Sequence, residues 1–455
     1  MTPPLDDQFA AAAELERSGS HGDALAAYDA IYRELEDETD LDSRDGAAKA
    51  LILQAEILDE LGHHEDELRL RELVVERERD ATELRMRERV ARTLVNIALT
   101  FRDLDRTDDQ LTTLELVVAS YGEADERELA AQVMRALSEK ARMLRRRERR
   151  EEALILYEAI VSRDEAIGDG RAGNVAGRAL FDKACCLAEL CRFDEAVEAC
   201  RECIARFEER AGTTQLIVRA RVNQAIYLGR LGSNDEALAI FHEIVDGPID
   251  LDDEKLVEDV LRAAVYAAGT IRNLGRAAEA VYMLREAIDR VSDARGREAR
   301  RWIGSTLSVH ARTLGELGRV DEAIAAYDRA ITMFEPGETL ERREWIADAL
   351  VAQGILLRDR GEQAAAAARF RSVFERFADD PGGRLPNLAA WSGATAARLL
   401  HRYLRPAEMR ALSQAIVDRF AHSPDPEVQR LVETAALHVT WLSHRERVLR
   451  LFRLA

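Results

Sequence analysis

Apolar residues recur at steps of three and four along most of the chain, which is the spacing of one buried face of an α-helix. Most apolar runs end in a short polar segment with Gly, Asp or Cys, as at Gly62, Asp105 and Cys191. The apolar spacing then resumes after the break. The pattern therefore predicts pairs of helices joined by tight turns, helix after helix.

The predicted helix pairs follow a fixed period. One position near the start of each second helix, here called the anchor position, recurs every 43 residues, with a single interval of 41 between Ala196 and Ala237. The anchor residues are Ala24, Glu67, Gln110, Ala153, Ala196, Ala237, Ala280, Ala323, Ala366 and Met409. The sequence therefore contains ten copies of one unit.

Other columns of the alignment repeat the same residue types. The residue twelve before the anchor is Ala or Gly in every copy, whereas the residues nine before and eight after it are large and apolar. A small residue lets two helices approach closely, and a large residue fills the seam beside it. One hairpin cannot bury this face alone, so neighbouring copies must stack.

The register of the anchors sets the expected boundaries of the repeats. We expect repeats at residues 5–38, 39–81, 82–124, 125–167, 168–210, 211–251, 252–294, 295–337, 338–380 and 381–423. Residues 424–455 contain no complete hairpin, and we expect them to cap the open apolar face of the last repeat. The alternation of Arg and Leu in "RVLRLFRLA" would also suit a membrane surface or a partner helix.

The segments "LGSNDEALAIFHEIV" and "LGRVDEAIAAYDRAI" resemble the turn and second helix of tetratricopeptide repeats. The resemblance extends from about Leu5 to about Ser423, and the long spacing is similar to the branch typified by kinesin light chain. The extra length is expected before each first helix, as in "RDATELRMRERVARTL". The resemblance implies an all-α, right-handed superhelical solenoid of ten helix-turn-helix repeats with a C-terminal capping helix or hairpin.

Charge and motifs narrow the possible functions. The net charge of −20 argues against binding nucleic acid, because the overall field repels phosphates. Neither a signal peptide nor a long apolar run is present, which favours a cytoplasmic protein with no membrane span. The sequence lacks the motifs of nucleotide-binding loops, zinc proteases and serine hydrolases. We therefore expect no enzymatic activity, no catalytic residues and no cofactor.

All five cysteines lie between Cys185 and Cys203. Cys200 and Cys203 share a helix face and take positions that hold Tyr28 and Ile31 in the first copy, so packing explains them best. A metal site or a redox role for these thiols is the alternative. We expect no metal site.

One stripe of positions, distinct from the packing columns, runs along each predicted first helix, at 18, 14, 11 and 7 residues before the anchor. We call these positions the inner stripe, because the resemblance implies that this face lines the concave, peptide-binding surface. The first position is Arg in five successive copies. The predicted partner-binding residues are Arg92, Asn96, Arg135, Arg142, Arg146, Arg178, Arg219, Asn223, Arg230, Arg262 and Arg312.

Asn96 and Asn223 match the position at which the long-repeat relatives hold peptide backbone. The carboxylate clamp of chaperone-binding relatives is not matched, since its positions hold residues such as Val95 and Leu99. Arg side chains offer planar forks to carboxylates, so the predicted function is a scaffold that binds an acidic peptide or protein segment. Acids such as Glu139 and Asp182 could instead pair with these arginines on a solvated face.

A regulatory sensor that responds to a peptide or another ligand is the alternative function. The first repeat begins by about Leu5, so we expect such a sensor to act through a partner protein rather than through an N-terminal output module.

Overall fold

The computed structural model describes residues 4–167, 173–210, 212–335, 339–381, 383–402 and 406–453. These residues form 21 α-helices and no β-strand. The chain divides into two compact units, Met1–Ala220 and Arg221–Ala455, and the division falls within one helix. Each unit is described separately below.

The helices of unit 1 are α1 (Leu5–Arg17), α2 (His21–Leu35), α3 (Leu41–Glu60), α4 (His64–Glu78), α5 (Leu84–Asp103), α6 (Thr107–Tyr121), α7 (Arg127–Arg146), α8 (Arg150–Ile167), α9 (Gly173–Glu189) and α10 (Phe193–Phe207). Helix α11 (Thr214–Arg230) contains the division. The helices of unit 2 are α12 (Asn234–Asp246), α13 (Glu254–Asn273), α14 (Ala277–Arg290), α15 (Arg297–Glu316), α16 (Val320–Phe334), α17 (Leu340–Asp359), α18 (Gln363–Phe377), α19 (Leu385–Arg402), α20 (Pro406–Phe420) and α21 (Pro426–Arg453).

Consecutive helices pack against each other within each unit. First helices also contact the first helices of neighbouring repeats, as α5 contacts α7 and α7 contacts α9 in unit 1. In unit 2 the same relation joins α13 to α15 and α15 to α17. The predicted all-helical fold with stacked repeats is therefore confirmed.

Burial of the repeated columns explains this stacking. The small residues twelve before the anchor are buried in all ten copies, and Ala55, Ala141 and Ala311 are completely inaccessible. Leu144 and Leu314, nine before the anchor, are 6% and 2% exposed. The helix backbones thus approach closely at the alanines, and the leucine side chains fill the space between the helices, as the sequence pattern predicts.

The prediction that the extra residues of the long repeat precede the first helix is wrong. Helix α5 begins at Leu84, so most of "RDATELRMRERVARTL" is helical. Met86 and Val90 in this segment are buried, at 0% and 3% exposure. Because these apolar side chains pack against the stack, the added residues extend the first helix to 20 residues rather than lengthening a loop.

Nine hairpin turns within the described residues share one hydrogen-bonding pattern. At the end of α3, Gly62 has φ 73°, and the His63 amide donates to the Leu58 carbonyl at 2.8 Å. This geometry is the Schellman motif, which satisfies the last carbonyls of a helix by means of a left-handed residue. The anchor register puts Asp105, Glu148 and Cys191 at the same place, and they too have positive φ, at 57°, 61° and 60°.

The second repeat replaces the small anchor by a buried ion pair. Glu67 is only 1% exposed, and its carboxylate lies 2.9 Å from the Arg71 guanidinium. The Thr100 hydroxyl of the next first helix donates to Glu67 at 2.7 Å. The larger side chain is thus accommodated because both neighbours provide polar partners.

Helix α21 covers the end of the last hairpin. It contacts α20 and α19, which are the contacts that a further first helix would make. Its inward face buries Val428, Val432 and Leu442, whereas Leu437 is 70% exposed. The described part of the predicted cap is therefore a single helix.

Candidate functional site

Four stripe arginines of unit 1 lie on successive first helices. Arg92, Arg135, Arg178 and Arg219 belong to α5, α7, α9 and α11, and we call them the arginine stripe. Burial lowers the pKa of Arg135, and the charge of Arg92 lowers it further. The charges of Arg92 and Arg135, which lie in neighbouring repeats, therefore repel each other.

Two of these arginines have polar partners within the protein. Arg92 forms an ion pair with Glu88, one helical turn earlier. Arg135 donates to the Gln132 side chain at 3.0 Å and to Asn96 Oδ1 at 3.4 Å. Arg135 is thus held by neutral amides, and the charge of Glu139 raises its pKa in opposition to burial and Arg92.

Unit 2 repeats the contact between Arg and Asn. Arg262 donates to Asn223 Oδ1 at 3.5 Å, and it also lies 3.3 Å from the buried carboxylate of Asp259. In both units an Asn of one repeat thus accepts a hydrogen bond from the Arg of the next repeat. The role in holding peptide backbone that the resemblance implies for these asparagines stays a prediction.

The other predicted site residues fall into two groups. Arg142 lies 2.6 Å from Glu139 and 3.1 Å from Asp182, so its charge is balanced within the protein. Three arginines are exposed and form no ion pair with any residue that the structure describes: Arg146, Arg230 and Arg312.

A cleft of about 230 Å³ in unit 1 brings Arg178 and Arg219 together. Arg178 is exposed and has no hydrogen bond or ion pair within the described ranges. The Arg219 guanidinium lies 4.8 Å from the centre of the Phe181 ring, a cation–π contact. The cleft's acid, Asp182, lies near Arg142 and Arg145, so it leaves the two cleft arginines unneutralised.

Unit 2 has two larger clefts that also include inner-stripe residues. One, of about 460 Å³, is lined by Arg230 and Tyr266, and the other, of about 380 Å³, by Arg312 and Trp345. Sequence reasoning missed the aromatic residues because it selected charge. Tyr266 itself occupies an inner-stripe position, so its periodic placement was a usable signal.

The cysteines form no disulfide bond in the described chain, and Cys186, Cys200 and Cys203 are buried. Burial raises the pKa of Cys186 to about 11 and that of Cys203 to about 12. Cys200 is also completely inaccessible, and burial raises its pKa as well. Low reactivity of a buried, protonated thiol favours the packing role over redox chemistry.

One group of potential metal ligands occurs among the described residues. Oxygen and nitrogen atoms of Asp59, His64 and Glu67 lie within 4.8 Å of one another. The Glu67 carboxylate, however, already contacts Arg71 and Thr100. A cation bound there would lie beside the Arg71 guanidinium, so this geometry favours an ion pair over a metal site.

Residues 306–335, which span the second part of α15 and nearly all of α16, match the sequence model of the tetratricopeptide repeat family. The hairpin of α15 and α16 is therefore of the tetratricopeptide type, and the other hairpins repeat its sequence register. The closer relation to kinesin light chain stays a prediction. No curated protein matches the chain.

Several solved structures are similar to the chain. A tetratricopeptide repeat protein from Parabacteroides merdae is 14% identical, with a TM-score of 0.34, and the match covers 67% of this chain and 98% of that one. The apo quorum sensor NprR from B. thuringiensis is 12% identical, with a TM-score of 0.44 and coverage of 84% and 98%. Apo RapI is 11% identical, with a TM-score of 0.43 and coverage of 88% and 98%.

The tetratricopeptide-type repeats support a protein-interaction or regulatory role, and such repeats are generally non-enzymatic scaffolds. None of the described helices has both the length and the hydrophobicity that a membrane span requires. The cytoplasmic location and the exclusion of nucleic acid stay predictions.

Proposed function

We propose that this protein is a non-enzymatic scaffold that binds an acidic peptide segment along the arginine stripe of unit 1. The observation that carries the proposal is the cleft at Arg178 and Arg219, where two guanidinium groups face one space without a carboxylate that neutralises them. An Arg fork binds a carboxylate with two parallel hydrogen bonds, so this cleft suits an Asp or Glu side chain.

The remainder of the stripe extends this preference along the peptide. Arg135 is partly desolvated and is repelled by Arg92. A bound carboxylate would relieve that repulsion, which adds to its affinity for this position. Several modest contacts on one peptide combine into useful affinity, because the later contacts form at high effective concentration.

Charge reversal tests the proposal directly. In the variant R135E/R178E/R219E, the three positions carry carboxylates that repel an acidic ligand. The control variant R33E/R69E/R201E changes the net charge equally, and its arginine side chains, on second helices of unit 1, are 72%, 75% and 44% exposed in local helical ion pairs. Any difference between the two variants therefore reports position rather than total charge.

The ligand probe is a phage-displayed library of random nine-residue peptides. We expect wild-type protein and the control variant to enrich Asp and Glu, and the stripe variant to lose that enrichment. Affinity for the best selected peptide should fall at least about tenfold, since each charge-assisted hydrogen bond contributes about 1.5–3 kcal/mol. Equal acidic enrichment on the stripe variant, or no enrichment on wild-type protein, would overturn the proposal.

A further inference from the structure

The largest of the clefts described above lies in unit 2 between residues of α11, α12 and α13. Its volume is about 460 Å³, and two glycines, Gly229 and Gly269, line it together with Ile226, Arg230 and Tyr266. We call it the glycine cleft. It is separate from the arginine stripe of unit 1.

Packing of the fold does not require these two glycines. A Cβ atom added at Gly229 or Gly269 would meet no other atom within 4 Å. The helix glycines Gly304 and Gly354 differ, because a Cβ there would come within 2.7 and 2.9 Å of a buried Phe ring. Gly destabilises a helix relative to Ala. The two glycines therefore reduce the stability of their helices, and no tertiary contact requires them.

The lining of the cleft defines the ligand chemistry. Phe241 forms part of it and is 1% exposed, whereas Tyr266 presents 45% of its surface to solvent. Arg230 is exposed and has no ion pair with a described residue, and no Asp or Glu lines the cleft in the described part of the chain. The cleft combines apolar side chains with neutral polar ones and one unneutralised Arg, which fits a bulky apolar group next to a carboxylate.

We infer that the glycine cleft is an anchor site for one bulky apolar side chain, Leu or Phe, of a peptide that carries a neighbouring Asp or Glu. This inference rests on the proposed function, because it assigns a second feature to the acidic peptide partner. The absent glycine side chains let the peptide backbone approach the helices, and Arg230 binds the adjacent carboxylate.

The experiment uses fluorescein-labelled peptides of nine residues with the sequence Ser-Gly-Glu-Glu-X-Glu-Glu-Gly-Ser. X is Leu, Phe or Ser, and affinity is measured by fluorescence anisotropy with the full chain. Wild-type protein should bind the Leu and Phe peptides about tenfold more tightly than the Ser peptide, as burial of such a side chain predicts. The variant Gly269→Leu fills the cleft and should bind all three peptides equally.

The melting temperature of each variant, measured by thermal unfolding, tests whether the variant remains folded. Gly269→Ala should raise the melting temperature by about 1–4 °C, because it removes a helix glycine from open space. It should also reduce the preference for Leu over Ser. Gly22→Ala is the matched control, since Gly22 is a helix glycine with equally open space in unit 1. It should leave the peptide preference unchanged.

Two outcomes would overturn the inference: wild-type protein that does not distinguish Leu from Ser, or a preference that Gly269→Leu leaves intact. The stripe variant R135E/R178E/R219E separates this inference from the proposed function. Loss of acidic binding in that variant, with no effect of Gly269→Leu, would retain the proposed function and reject the anchor site. The reverse result would retain the anchor site and reject the stripe.

Discussion

Nine hairpin turns of the described chain place a residue at positive φ, and six of these residues are Gly. The exceptions are Asp105, Glu148 and Cys191. A left-handed conformation brings Cβ close to the following carbonyl oxygen, which costs roughly 1–2 kcal/mol for a residue other than Gly. Glu148 has the longest side chain of the three, and it is exposed.

Replacement of Glu148 by Gly should therefore stabilise the protein by about 1 kcal/mol. Gly318→Ala, at the matching turn of unit 2, should destabilise it by a similar amount because Gly318 has φ 73°. Urea unfolding followed by circular dichroism measures both changes. A loss of stability in Glu148→Gly would show that the glutamate makes contacts that outweigh its backbone strain.

The buried pair of Glu67 and Arg71 predicts a strongly non-additive double mutant. Removal of either partner leaves a buried charge, so Glu67→Ala and Arg71→Tyr should each destabilise by about 3–5 kcal/mol. The double variant restores the Ala and Tyr that the first repeat has at Ala24 and Tyr28, both buried. We expect it to recover most of the loss.

Measured free energies of unfolding for the wild type, both single variants and the double variant complete this cycle. If the two single effects simply add in the double variant, then the residues do not act as a pair.

His310 makes the stability of the folded protein depend on pH. It is 9% exposed, and its ring nitrogens have no hydrogen-bond partner among the described residues. Burial lowers its pKa, and nearby arginines, with Arg329 the largest contributor, lower it further. The unfolded chain therefore binds the proton more readily, so the stability that neutral His310 contributes is present above about pH 6.5 and is lost as pH falls.

The variant His310→Gln removes this titration. Gln353 occupies the corresponding position of the next repeat, is buried, and donates to the Ile324 carbonyl at 3.0 Å. The variant should gain stability relative to wild type between pH 8 and pH 5.5, as measured by urea unfolding at both values. If wild type and His310→Gln lose the same free energy of unfolding between pH 8 and pH 5.5, then groups other than His310 cause the acid sensitivity.

At the scale of the element, the C-terminal helix α21 provides the sharpest contrast between its faces. Leu442 is 2% exposed, whereas Leu437 on the same helix is 70% exposed. Leu442→Ala should destabilise unit 2 by about 2–5 kcal/mol, because it opens a cavity in the seam with the last hairpin. Leu437→Ala should change stability by less than about 0.5 kcal/mol.

Hydrogen exchange followed by mass spectrometry measures where the loss occurs. We expect Leu442→Ala to reduce protection in α19, α20 and α21, since repeats respond mainly through their nearest neighbours. Equal effects of the two Leu substitutions would show that α21 does not act as a cap.

At the scale of the whole molecule, the net charge of −20 opposes the local positive charge of the arginine stripe. The two effects have different ranges, because salt screens charges beyond about 10 Å at 0.1 M ionic strength. The long-range repulsion slows the approach of an acidic peptide, whereas the contacts of bound carboxylates with Arg slow its release.

Stopped-flow binding of the selected acidic peptide should therefore show two opposite trends as NaCl rises. The association rate constant should increase because repulsion is screened, and the dissociation rate constant should also increase because the Arg contacts weaken. An association rate that falls with salt would mean that the local arginine field dominates the approach. The control variant R33E/R69E/R201E, with its more negative charge, should show the steeper rise in association rate.

The sequence by itself determined the helical hairpins and the register of ten copies. It did so because the same position of every repeat is buried in a similar environment and therefore needs a residue of similar size. Ala141 and Leu314 belong to two such columns. It also assigned the stripe arginines to one face, since helical periodicity is a local property. Glu148 and Cys191 have positive φ, as the glycines at the same position of other repeats do, although neither residue type favours that conformation.

Only the tertiary structure decided which of these arginines remain unneutralised. Arg142 and Arg178 are equivalent as sequence signals, yet Arg142 lies between Glu139 and Asp182, whereas Arg178 faces a cleft without an ion pair in the described chain. Part of that outcome depends on Asp182, which is 40 residues from Arg142 and which periodicity along one helix cannot place. The space at Gly269 was equally hidden, because a helix glycine reveals its role only when the surrounding atoms are known.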